Sequence, residues 1–364
     1  MQALVLVGGE GTRLRPLTLT QPKPAIRLVD RPFIRFMVDW LASHGVMEVV
    51  MACGFRAEGL RSALGDRVES GPEIRYLEEP EPLGTAGPIR FAADQGLLQD
   101  RFLVLNGDLL TDLDLSALLE THEQREAVAT LALYPVDDPS SYGLVRRTPG
   151  GEVTEFLEKP DPAQIDTDEV NAGAYVLESS IVDLIPAEEI VSIERQIFPR
   201  LVGEGLYGMR LDGYWMDIGT PERYLQASWD ILEGRVETQV AARLASGVLV
   251  EETAAVQDGA TVSGPALVEA GCEVAAGAEI GPRAVLGAGT SVAGNARVTG
   301  SVLDSDCEVG EGASVEEAIL AARVKVGREA RIGSGAVVGE GAIIEPGATV
   351  AAGARVEPGE SVSA

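Results

Sequence analysis

From Val250 onward an aliphatic residue recurs every six positions: Val250, Val256, Val262, Val268, Val274, Ile280, Leu286, Val292 and Val298. One residue then drops out and the series resumes at Leu303, Val309 and Val315. A second drops out before Leu320, after which Val326, Ile332, Val338, Ile344, Val350, Val356 and Val362 follow. Two places ahead of most of them stands a small side chain, among them Ala266, Cys272, Ala284, Cys307 and Ala330. This period predicts a parallel β-helix of hexapeptide repeats. Each short strand points one aliphatic and one small residue inward, Gly-rich corners turn the chain, and stacking buries a continuous core. Cys272 and Cys307 fall in the small inward slots and are read as packing residues.

The first 235 or so residues follow another pattern. Ala3–Val7, Val49–Ala52, Phe102–Leu105, Val128–Leu133 and Ala174–Leu177 read as buried strands. Helical stretches at Phe33–Ser43 and Pro88–Gln95 lie between the first of them. Strands alternating with helices predict an α/β, Rossmann-like domain around a mainly parallel sheet. Thr220 with Pro221 opens a helix expected to end near Gly234. The expected organisation is residues 1–235, a connection over 236–247, and the repeats over 248–364.

Charge narrows the function. The chain of 364 residues carries 29 Lys and Arg against 57 Asp and Glu, a formal −28. Such a surface repels nucleic acid and anionic membranes, so neither is an expected partner. An anionic substrate would need local cations or a metal. No stretch reaches the roughly 18 apolar residues of a membrane helix. The apolar run Ala3–Val7 ends at Gly8 and Gly9, so no leader is expected. Three cysteines, Cys53, Cys272 and Cys307, make neither a disulfide framework nor a zinc spacing. A cytoplasmic location is expected. Of the two histidines, His44 is placed at a helix end and His122 in a polar helical stretch, both in ordinary structural roles.

After the first strand comes Gly8-Gly9-Glu10-Gly11-Thr12-Arg13-Leu14, then Pro22-Lys23-Pro24. A glycine-rich turn after a strand brings backbone N–H groups close to phosphates. No Gly-Lys-Ser/Thr follows, and Leu14 stands where a dinucleotide fingerprint needs its third glycine. Arg13 and Lys23 add positive charge beside the loop, which points to a polyphosphate. Phe102–Leu105 runs into Asn106-Gly107-Asp108, at the strand end where open α/β sheets bind ligands. Asp217 is the second acidic candidate. Two carboxylates with phosphate oxygens and water suit octahedral Mg²⁺.

In order along the chain stand Gly8 to Arg13 with Pro22-Lys23-Pro24, Leu83-Gly84-Thr85-Ala86, Asn106-Gly107-Asp108, and Tyr142-Gly143. Phe156-Leu157-Glu158-Lys159-Pro160, Asn171-Ala172-Gly173 and Trp215-Met216-Asp217-Ile218-Gly219 complete the series. Together they resemble the sugar-1-phosphate nucleotidyltransferases (nucleotide-sugar pyrophosphorylases) over roughly residues 1–235. The repeats are similar to the left-handed β-helix that many of that family carry; the handedness comes from the resemblance. Ser192-Ile193-Glu194 with Phe198-Pro199, and Glu78 to Gly87, look like the mannose-1-phosphate guanylyltransferase branch. Pro80 departs from it, standing where those enzymes often have another glutamate.

The resemblance implies nucleotidyl transfer from a nucleoside triphosphate to a sugar-1-phosphate, with release of pyrophosphate. It makes Arg13, Lys23, Asp108 and Asp217 catalytic, with the two aspartates as Mg²⁺ ligands. Gly8, Gly9, Gly11, Thr12, Glu79, Gly84 and Thr85 would hold the nucleotide. Gly143, Glu158, Lys159 and Asn171 would hold the sugar phosphate. Glu79 occupies the family's base-reading position. Guanine offers two adjacent donors, which an acceptor-only carboxylate takes together, whereas thymine and uracil present acceptor–donor–acceptor. GTP and mannose-1-phosphate are therefore the expected substrates. The alternatives are a thymidylyl- or uridylyltransferase acting on glucose-1-phosphate, and a catalytically silent subunit that binds nucleotide-sugar. Acyl transfer on the β-helix is disfavoured, because residues 236–364 contain no histidine. The repeats are expected to mediate homo-oligomerisation, since a stack must cover its open end.

Overall fold

The computed structural model describes residues 1–54, 57–67 and 71–364. They gather into two compact units, Met1–Gly9 with Ile34–Trp215, and Glu10–Phe33 with Met216–Ala364.

The first unit is built on a nine-stranded mixed sheet. Its parallel centre runs Arg101–Asn106, Gln2–Leu6, Glu48–Cys53 and Glu73–Glu78 in spatial order. The inner three are near-continuous apolar runs because both faces of the sheet are covered, whereas Glu73–Glu78 at the edge alternates; Ala3, Leu4, Val5 and the stretch Phe102–Leu105 are fully buried. One face packs on the helix Phe33–Ser43 through Ile34, Met37, Val38 and Leu41, the other on Ile89 and Ala92 of the helix Gly87–Asp94. The long strand Glu169–Glu178 adds antiparallel to Arg101–Asn106 and also pairs with Ala129–Pro135. The first strand has its next parallel neighbour on one side and Arg101–Asn106 on the other. Its carboxyl end is thus a switch point, where such sheets bind ligands.

The second unit contains the repeats. They form three parallel sheets of seven, seven and six short strands, consistent with a left-handed β-helix. From Val268 to Val356 the inward aliphatic positions named from the sequence are its core, with Cys272, Ala284, Leu286, Cys307 and Leu303 wholly buried; Val250 and Val256, on the uncovered first coil, are exposed. The two lost residues are absorbed at one corner. Ala266 pairs with Ala284, 18 residues on, but Val285 pairs with Val302 and Val302 with Ile319, each 17 on. At both places the preceding strand is three residues long, Arg297–Thr299 and Ser314–Glu316, and the corner tightens.

Helix Pro221–Leu232 belongs to this unit and starts as expected, with the Thr220 hydroxyl accepting from the Arg223 N–H. Trp229 on it donates to the Gly300 carbonyl at 3.0 Å, and the Arg283 guanidinium lies over its ring. No helix among the described residues is long and apolar enough to cross a membrane.

Candidate functional site

In the first unit the carboxyl ends of the central strands gather the motifs. The Gly107 N–H donates to the Leu6 carbonyl at 2.9 Å, setting Asp108, which is half-buried, just past the strand end. A methyl group at Gly107 would meet Val7 at 2.4 Å, so the two strand ends pack without room for a side chain. Asn171-Ala172-Gly173 comes to the same place. A Cβ at Gly173 would lie 2.7 Å from Asn106 Nδ2. Asn171 is half-buried, donates to the Tyr175 hydroxyl at 2.8 Å, and accepts from the Gly173 N–H at 3.0 Å.

Gly8 and Gly9 are exposed at the end of the first strand. Glu79 lies beside Gly8, with one carboxylate oxygen 3.5 Å from where a Gly8 Cβ would stand. It is only 9% exposed and its other oxygen accepts from the Leu83 N–H at 3.3 Å. Burial pushes its pKa above the usual carboxylate range, and the Leu83 bond offsets part of the shift. A buried, acceptor-only group next to a phosphate-type loop is chemically suited to read paired donors.

Gly84 and Thr85 are placed by a second segment. Gly84 bridges in parallel to Val191, and at φ +82° a side chain there would strike the Val191 carbonyl at 2.5 Å. The Thr85 hydroxyl donates to Glu194 at 2.6 Å and accepts from the Ile193 N–H at 2.9 Å. Ser192 donates to the same Glu194 oxygen at 2.7 Å. Thus the Thr85 hydroxyl is engaged in holding its own loop.

Glu158 lies over Gly143, its Oε2 3.1 Å from where a Cβ at that buried glycine would sit. Burial, then the charge of Glu194, pushes the Glu158 pKa up, while Lys159 and Arg195 act against this. Lys159 is exposed at φ +54°, its N–H donating to the Tyr142 carbonyl at 3.0 Å. Trp215 closes this region. Its indole N–H donates to the Ala172 carbonyl at 2.8 Å, and its ring packs on Tyr134 and Tyr142.

The second unit holds Arg13 and Lys23. Gly11, at φ +63°, leads into a 3-10 turn over Thr12–Leu14, on which Thr12 and Arg13 are exposed. The Lys23 stem packs on Gly11, 3.0 Å from where a Cβ would stand, and Thr18 donates to the Gly11 carbonyl. The Arg13 guanidinium lies on the backbone of Gly219, so close that a Cβ there would come within 2.7 Å of Nη2. Asp217, two residues earlier, is half-buried and pairs with Arg223 at 3.2 Å.

Asp108 and Asp217 were the expected metal ligands. Among the described residues no group of three or more His, Cys, Asp and Glu side chains gathers to hold an ion. Asp108 in the first unit and Asp217 in the second are each half-buried, and each offers the hard oxygen donors that a cation takes alongside phosphate oxygens and water.

Two features of the site lie outside the sequence motifs' expected roles: Glu194 as the anchor of Thr85, and the contact of Arg13 with Gly219. The motifs Ser192-Ile193-Glu194 and Ile218-Gly219 carry these residues, but neither contact follows from spacing.

The chain is similar to known proteins along most of its length. The nucleotidyl transferase family profile matches residues 2–234, and the profile described as GMPPB C-terminal domain matches residues 262–364. A Mycobacterium tuberculosis protein named mannose-1-phosphate guanylyltransferase is 38% identical over 259 residues, covering 70% of this chain and 71% of that one. Mannose-1-phosphate guanylyltransferase 1 of Arabidopsis thaliana is 40% identical over 268 residues, covering 70% and 73%. Among solved structures, HddC from Yersinia pseudotuberculosis is similar with a TM-score of 0.54 and 28% identity, covering 62% of this chain and 97% of that one. Proteins of this kind generally use a divalent metal. With the profile spanning residues 2–234 and relatives of this identity covering over two thirds of their own length, the chain belongs to the nucleotidyl transferase family.

Proposed function

We propose that this enzyme makes GDP-mannose and pyrophosphate from GTP and mannose-1-phosphate. The observation that carries the base is Glu79, a buried carboxylate beside Gly8 with only one oxygen committed to the backbone. Relatives named as mannose-1-phosphate guanylyltransferases, at 38–41% identity, support the sugar.

The reaction needs little covalent help from the protein. A phosphate monoester has its second pKa near about 6, so the nucleophile is already anionic at neutral pH. Its oxygen forms a bond to the α-phosphorus while the bond to the β-phosphate oxygen breaks and pyrophosphate departs. No general base is called for. The work is positioning and charge neutralisation. Arg13 is assigned to the α-phosphate and the departing pyrophosphate, and Lys23 to the phosphates. Gly8, Gly9, Gly11 and Thr12 offer backbone donors, and Gly84 with Thr85 lines the nucleoside. Gly143, Glu158 and Asn171 are assigned to sugar hydroxyls and Lys159 to the sugar phosphate. Asp108 and Asp217 would hold Mg²⁺, which when bound lowers the charge on the phosphates.

Further parts of the reading are the domain limits 1–235, 236–247 and 248–364, and a cytoplasmic location, supported by three buried free cysteines. Homo-oligomerisation through the repeats is supported by Val250 and Val256, 39% and 38% exposed on the first coil.

The test is pyrophosphate release with Mg²⁺ over GTP, dTTP, UTP, ATP and CTP against mannose-, glucose- and N-acetylglucosamine-1-phosphate. Turnover confined to GTP with mannose-1-phosphate, and lost in Asp108→Asn, is the expected result. Turnover with dTTP or UTP would keep the chemistry and overturn the role of Glu79. Binding without turnover in every pairing would leave a regulatory subunit.

A further inference from the structure

Arg27 joins the phosphate-loop segment to the repeats. It lies four residues past Lys23, on a short strand, Arg27–Leu28, that pairs with Arg31–Pro32. Its Nε donates to the Val29 carbonyl at 3.1 Å, closing the hairpin turn between these strands. The same guanidinium pairs with Glu269 and approaches Asp304 at 3.9 Å. Both acids belong to the repeats, at the residue after Val268 and after Leu303, and Gly287 takes the equivalent place in the coil between them.

The acids are themselves held. Glu269 Oε2 accepts from the Ala288 N–H at 2.9 Å, and Asp304 accepts from the Ser305 N–H at 2.7 Å. The three side chains are 21%, 12% and 20% exposed, so the cluster is largely withdrawn from water. Tyr224, buried on helix Pro221–Leu232, donates its hydroxyl to the Arg27 carbonyl. That helix follows directly on Asp217 and Gly219. One residue therefore ties together the segment bearing Arg13 and Lys23, the helix after Asp217, and two coils of the β-helix.

We propose that Arg27 is a positioning residue for nucleotidyl transfer: clamped by Glu269 and Asp304, it fixes the segment that carries Arg13 and Lys23. The β-helix then acts on the reaction through a specific ion cluster. This rests on the assignment of Arg13 and Lys23 to the phosphates. A guanidinium fork between two carboxylates is suited to the task, because a largely desolvated, multiply bonded arginine holds one geometry.

The test uses the full chain. In Arg27→Met, kcat should fall about 10- to 100-fold, while KM for GTP changes by less than about threefold, because a displaced cation is missed most in the transition state. Arg27→Lys should recover part of the loss. Glu269→Gln/Asp304→Asn, which keeps the shapes and removes the charges, should reproduce the kcat loss. Combining it with Arg27→Met should add little. This pair of neutral substitutions also serves if Arg27→Met does not fold. Hydrogen exchange reads the clamp without turnover: amides over residues 10–33 should exchange faster in either variant while those of the repeats do not. Wild-type kcat in both variants would overturn the proposal, as would unchanged exchange over 10–33. A wild-type enzyme that turns over no substrate pair while exchange responds would sink the reaction assignment and keep the clamp.

Discussion

Gly219 has no side chain because the Arg13 guanidinium occupies that space, 2.7 Å from where a Cβ would stand. The obstruction is the far end of a flexible side chain, so the fold can accept a methyl group and Arg13 must move. Gly219→Ala should keep its melting temperature within a few degrees and lose about 10- to 100-fold in kcat, the scale of an ångström of misplacement. A wild-type kcat in steady-state assays would show that Arg13 need not sit there. Glu79 gives a pH prediction at the same scale. Burial raises its pKa, so on acidification it takes up a proton sooner than an ordinary glutamate. Only the carboxylate accepts both guanine donors. KM for GTP should therefore rise on acidification, starting at a higher pH than an ordinary glutamate would set, and in Glu79→Gln it should be high and nearly flat with pH. Both residues were legible in the sequence as motif members. The close approach of Gly219 to Arg13, 206 positions away in the chain by subtraction of the two residue numbers, was not.

At the scale of elements, the loop Leu83–Ala86 has no stiffness of its own. It is pinned on Val191–Glu194 by Gly84–Val191 bridging and by the Thr85 hydroxyl. Thr85→Ala removes one donor and one acceptor from a half-buried network, which should cost about 1–3 kcal/mol of stability. KM for GTP should rise with it, measured beside denaturant unfolding. A stable variant with unchanged KM would show that the loop is ordered by other means. The elements were the most legible part of the sequence. The six-residue period named the inward residues of the β-helix, because each repeat meets only its neighbours and pattern maps directly onto position. Strand centres and the Thr220 cap came through for the same local reason. Strand lengths did not: Ala174–Leu177 is only the second half of Glu169–Glu178, which bulges between Asn171 and Tyr175 against Ala129–Pro135.

At the scale of the molecule, His122 keeps a structural role, from inside the fold and not from the face of a polar helix. It is wholly buried, bonded to Thr130 at 2.9 Å and to Glu178 at 3.0 Å, with Glu178 also held by Arg101. Burial lowers its pKa, against the pull of Glu178. The native state then keeps His122 neutral while the unfolded chain takes up a proton as pH falls through about 6.5. The stabilisation is present above that pH and is lost below it. For Glu178, burial raises the pKa, but the bonds from Arg101 and His122 outweigh it and hold it low, so its contribution is lost at lower pH. Unfolding midpoints should fall from pH 7 to pH 5, and His122→Gln should flatten that slope. An unaltered slope in the variant would place the titration elsewhere.

The sequence by itself determined the β-helix, the parallel centre of the sheet, the order of the motifs and the residue types that meet phosphates. These depend on periodicity and on short-range backbone chemistry, which a linear string records. Tertiary structure alone decided that Thr85 is held by Glu194, that Arg27 reaches Glu269 and Asp304, and that His122 is dry. Those contacts join residues far apart in the chain, and their energies depend on burial and distance, which no local pattern encodes.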